Sequence, residues 1–134
     1  MEPQVAVRQI SAKRVATGTW TTEWEIRNLG AASLKILAAR FPHGKFRWQE
    51  LEFAPAIDLG SKEARKLKLE VRCEEPAGAE VENAFLILRV LQREEPWLIL
   101  ARLRVRVSED GAPATTTELI TAQRVGFSSQ RAGG

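Results

Sequence analysis

From Trp97 to Val107 the chain reads WLILARLRVRV, and its chemistry alternates residue by residue. Ile99, Ala101, Leu103, Val105 and Val107 share one parity, while Arg102, Arg104 and Arg106 share the other. A period of two sends successive side chains to opposite faces of an extended strand, whereas a helix would need a period near 3.6. The same rhythm runs through RKLKLEVRC, where Leu67, Leu69, Val71 and Cys73 oppose Lys66, Lys68, Glu70 and Arg72. It returns in TWTTEWEIRNLG, with Trp20, Trp24 and Ile26 on even positions and Glu23, Glu25 and Arg27 on odd ones. A helix would also gather Trp20 and Trp24, but Thr19, Thr21 and Thr22 are poor helix formers. Asn28-Leu29-Gly30 then supplies a turn.

Other segments extend the pattern. SLKILAARF is a further extended run, stopped by PHGK. KFRWQELEF follows as a strand with Phe46 and Trp48 on one face, and APAIDLGSKEAR reads as a connector. EEPAGAE is a loop, REEP a turn and SEDGAPA a break. VENAFLILRVLQ is apolar on both parities, as expected of a central strand covered on both faces. The expectation is an all-β chain of about seven to eight strands, packed as an immunoglobulin-like antiparallel β-sandwich. Residues 1–110 form the sandwich. Residues 111–134 form a C-terminal β-prone arm, TTTELITAQRVGF, and a polar tail. A chain of 134 residues can bury about two-thirds of its unfolded surface, enough for a core without disulfides.

WEIRNLGAASLKI, followed by DLGSKEARKLKLEV, resembles the intracellular immunoglobulin-like modules of the hydin and major-sperm-protein kind. The resemblance covers roughly residues 18–107. It implies an interaction or scaffold role and supplies no catalytic residues.

The residues that carry chemistry are few. His43 is the sole histidine and sits in a turn, so a zinc site would need carboxylates to complete it. Cys73, the sole cysteine, shares the apolar parity of its strand and reads as a small buried hydrophobe. A single cysteine allows no internal disulfide, which favours a reducing compartment. Asp58 and Asp110 lie beside Gly60 and Gly111 in turns. The pairs Glu23/Glu25 and Glu50/Glu52 would share strand faces, as salt-bridged surface residues do. No G-x-S-x-G, P-loop or G-x-G-x-x-G occurs. Catalytic, cofactor and metal residues are therefore none. The net charge of +3 is weak support for nucleic acid, and no exposed aromatic run interleaves with the arginines.

The candidate partner-binding residues are Arg102, Arg104, Arg106 and Trp97. The arginines form a stripe suited to an anionic partner; a ladder opposite Glu80 and Glu82, or Glu23 and Glu25, is the competing reading. Trp97 follows Pro96 at a strand start and is expected to be half exposed, whereas at least one of Trp20 and Trp24 is expected in the core. The favoured function is a non-enzymatic protein-interaction module or accessory subunit of a larger assembly. Its partner would be another protein, or itself through an edge strand or the segment Thr115–Phe127. The alternative is a carbohydrate- or small-ligand-binding module using Trp97 and Trp48, although the chain has no tyrosine. The terminal Gly133-Gly134 is shared with ubiquitin-like modifiers, but their fold needs a helix that this pattern lacks. No signal peptide and no apolar run long enough for a bilayer is visible, so the expected location is cytoplasmic.

Overall fold

The computed structural model describes residues 1–42 and 50–125. Eight strands follow one another: β1 Val5–Ala16, β2 Thr19–Asn28, β3 Leu34–Arg40, β4 Leu51–Leu59, β5 Ala64–Arg72, β6 Glu80–Gln92, β7 Glu95–Val107 and β8 Pro113–Arg124. No helix occurs among the described residues. One sheet has the order β1-β2-β5 and the other β4-β3-β6-β7-β8, all neighbours antiparallel. The chain changes sheets after β2, β4 and β5, which closes the two layers over one core. The architecture is the antiparallel two-sheet sandwich expected from the alternation.

The parities fall as the pattern requires. Leu67, Leu69 and Val71 of β5 point inward against Trp24 and Ile26 of β2 and Leu86, Leu88, Ile99 and Leu103 of the larger sheet. Each such side chain contributes about 1.5–3 kcal/mol on burial. The even positions of β2 are all buried, Thr22 and Asn28 included. Thr22 Oγ1 donates to Leu69 O (3.0 Å) and accepts the Trp24 indole N–H (2.8 Å), so two polar groups cross the core satisfied. Asn28 Nδ2 donates to Ala32 O and Leu59 O, and its Oδ1 accepts Gly30 N–H. One side chain thus ties the β2–β3 turn to the end of β4.

Three segments differ from the sequence reading. Val5–Ala16 is a strand although its alternation was not evident, because register shifts at Gln9/Ser11 and Arg14/Ala16 change the parity within it. β4 runs on to Leu59, through residues read as a connector. Pro55 lies inside it because β4 is a sheet edge, where a missing N–H leaves no neighbour unpaired. Pro113–Arg124, read as an arm, is β8, paired with β7 along its length. Phe46 and Trp48 lie outside the described residues.

Candidate interaction surface

The two outer faces of the sandwich obey different chemistry. On the three-stranded sheet Glu23 stands opposite Lys68, Glu25 opposite Lys66 and Thr21 opposite Glu70. Arg8 of β1 donates to Glu25 at 2.8 Å. That hydrogen bond, with the charges of Arg8, Arg27 and Lys66, holds the Glu25 carboxyl below the usual carboxylate range. This face is a lattice of opposite charges suited to water.

The five-stranded sheet turns a different face outward. In its rows Leu91 lies opposite Pro96, Ile87 opposite Leu100, Arg89 opposite Leu98, and Arg102 between Phe85 and Leu119. Phe85, Leu91, Leu98 and Leu100 are half-buried, and Leu119 is 48% exposed. The apolar band runs from the β6–β7 turn to the middle of β8, with Arg89 and Arg102 set into it. Beyond it come the arginines. Arg104 meets Glu118 at 3.2 Å and Glu82 at 3.7 Å, Arg102 reaches Glu118 at 3.8 Å, and Arg106 stands opposite Glu80. Glu80 and Glu82 match the acids expected from the sequence, whereas Glu23 and Glu25 lie on the other sheet. Glu118 was not foreseen; it occupies the register shift between Arg102 and Leu103, an extra residue that the alternation could not place. The arginine stripe is therefore charge-compensated rather than a bare cationic strip. Exposed pairs of this kind contribute about 0–1 kcal/mol each, so they orient more than they stabilise.

Trp97 is not at the surface. It is 7% exposed, on the inward parity of β7, with the Arg124 guanidinium 5.5 Å from its ring centroid. Pro96 starts the outward parity, so the next residue turns in. Trp20 is covered likewise by Arg14, and Trp24 is fully buried. These three form no exposed stacking platform; Trp48, like His43 and Gly133-Gly134, lies outside the described residues. Cys73 is buried, and desolvation pushes its thiol above the ordinary range. Asp58 pairs with Lys35 at 2.7 Å, and Asp110 organises its turn through Ser108 and Ala112. Glu50 reaches Arg89 at 3.5 Å. No group of three metal-ligating side chains occurs among the described residues. No described helix is long and apolar enough to cross a membrane.

The four sheet edges are guarded unequally. β4 carries Pro55 and a register shift. β5 carries Arg65, Lys66, Lys68, Glu70 and Arg72. β1 carries two register shifts with Arg8, Lys13 and Arg14. These are recognised means of discouraging strand addition. β8 has a different guard along its first half. The Gln9 side chain donates from Nε2 to Pro113 O and accepts Thr115 N–H at Oε1, both at 2.9 Å. This is the bonding of one residue of a parallel neighbour around Ala114, supplied by a side-chain amide. Thr117 Oγ1 donates to Val7 O at 2.9 Å and continues the seam. The guard stops there.

Recesses occur at the seam and at one end of the sandwich. The first is about 540 Å³, between Val7–Gln9 and Thr115–Thr117. The second, about 520 Å³, lies among Leu34, Lys35, Asp58, Leu59, Leu91 and Arg93. Both are open; Glu63 and Glu94 also line the second, and Glu25 the first. No protein-family model matches the sequence, and no curated protein matches it either.

Proposed function

We infer that this chain is a non-enzymatic protein-interaction module, and that its contact surface is the outer face of the five-stranded sheet. The observation that carries the reading is the contrast between the two outer faces. One is a charge lattice; the other sets Phe85, Leu91, Leu98, Leu100 and Leu119 in one band rimmed by Arg–Glu pairs. An apolar centre with a polar rim is the anatomy of a protein interface. The resemblance of WEIRNLGAASLKI and DLGSKEARKLKLEV to hydin-like and major-sperm-protein-like modules supports the same role. The reading places the module in the cytoplasm, supported by a lone, buried thiol.

The experiment is site-specific photo-crosslinking in cells, with the probe at Leu100 or at Lys68. Both positions face outward, on opposite sheets. Discrete cross-linked products from Leu100 and not from Lys68 are expected. Equal or no capture at both would defeat the assignment.

A further inference from the structure

We propose that the unguarded half of the β8 edge, from Glu118 to Arg124, is a strand-pairing site for the same segment of a second copy. The pairing would be antiparallel about a twofold axis at Thr121. The inference rests on the reading of the five-stranded sheet as the interaction surface and adds the partner.

The register fixes which groups are offered. Val125 N donates to Pro96 O at 3.0 Å, beside the Trp97–Arg124 pair. In an antiparallel ladder this turns the backbone groups of 119, 121 and 123 toward β7. Those of Ile120 and Ala122 then face outward, with no partner among the described residues. They lie in LITAQ, a run without a charge, a proline or a glycine. Every other edge of the sandwich has such a breaker, and the first half of β8 has Gln9. Among the described residues this β-prone edge run has outward donors and acceptors and no such breaker.

The charges select the orientation. The run is bounded by Glu118 at one end and Arg124 at the other. Antiparallel pairing with Thr121 opposite Thr121 brings each Glu118 beside the Arg124 end of its partner; parallel pairing would set like charges together. Each charge is already balanced at home, Glu118 by Arg104 and Arg124 by Glu95, so the contact joins two compensated networks. In the same register Ile120 and Ala122 exchange backbone hydrogen bonds in both directions across the axis. Leu119 and Leu100 of the two copies then lie on one continuous outer face. A twofold contact of this kind uses one patch twice and closes on itself.

Ala122→Pro tests the pairing directly. It removes an N–H that faces the edge and leaves the β7 ladder intact. By sedimentation equilibrium the wild-type mass is expected to rise with concentration from 15.0 kDa toward about twice that value. Ala122→Pro is expected to stay at the monomer mass with an unchanged dichroism spectrum. Thr121→Cys is the independent variant: oxidation should link two copies through position 121, since Cβ atoms in a non-hydrogen-bonded pair come within disulfide reach. Wild type, whose Cys73 is buried, should not cross-link. A wild type that remains monomeric throughout, an Ala122→Pro that associates as before, or an oxidised Thr121→Cys without dimer would each overturn the proposal. A monomeric wild type whose Leu100 probe still captures a discrete, different protein would sink the self-pairing and leave the face reading standing. Dimerisation abolished by Ala122→Pro, with Leu100 and Lys68 capturing alike, would uphold the edge and sink the face.

Discussion

Thr22→Val tests whether the polar pair inside the sandwich is as tightly coupled as its geometry indicates. Thr22 is 2% exposed and Trp24 fully buried, so water cannot replace what is lost. Valine keeps the volume and the β-branched shape and removes the hydroxyl. The Trp24 indole N–H then loses its acceptor at 2.8 Å, and Leu69 O loses a donor at 3.0 Å. A stranded buried donor costs about 1–3 kcal/mol, and the second bond contributes about 1 kcal/mol. A methyl in place of the hydroxyl returns about 0.8 kcal/mol. The net loss is about 2 kcal/mol. For a chain of this length the unfolding entropy is about 0.28 kcal/mol/K, so Tm should fall by about 7 °C. Guanidinium denaturation of wild type, Thr22→Val, Trp24→Phe and the double variant separates the pairwise part. In the Trp24→Phe background there is no indole N–H to strand, so Thr22→Val should cost about 2 kcal/mol less than it does alone. Equal cost in both backgrounds would show that the hydroxyl–indole bond is energetically idle and refute the reasoning.

Two further outcomes follow from the same structure. Gly18 has φ +72°, and a Cβ there would lie 2.6 Å from Glu74 Oε2, so Gly18→Ala should lose about 1–2 kcal/mol by thermal denaturation, most of it backbone strain since Glu74 can swing away. The Glu25 carboxyl is lowered in the folded state, so its pairing with Arg8 stabilises above the ordinary value of 4.5 and fades as pH falls through the lower folded value; the Tm gap between wild type and Arg8→Ala should be present at neutral pH and close in acid, and a gap that persists at the lowest accessible pH would count against it.

What the sequence revealed depended on how each strand is solvated. β5 has one wet face, so Leu67, Leu69 and Val71 alternate cleanly with charges and the assignment is unambiguous. β1 is wet on much of its length and twice irregular, so Val5 and Val7 alone carry too little periodicity to declare a strand. Pro55 hid the end of β4, since a proline looks like a breaker until the strand is known to be an edge. For the candidate surface, the arginine stripe and its partners Glu80 and Glu82 were legible, but Glu118 was not, because it enters through an irregular register. Trp97 shares the inward parity of Ile99 and Ala101, so the alternation placed it correctly; the half exposure expected from its position after Pro96 is what the structure overturns.

The apolar band was visible all along as an ambiguity. VENAFLILRVLQ and the start of β7 are apolar on both parities, and such a strand demands cover on both faces. A chain with only two sheets can supply that cover once. Ala84, Leu86, Leu88 and Val90 receive it from the smaller sheet. Their neighbours Phe85 and Leu91, with Leu98 and Leu100 of β7, are half-buried on the opposite face, where Ile87 is 9% exposed. Folding within this sandwich leaves those apolar side chains only half-covered, and that is the observation on which the proposed interaction surface rests.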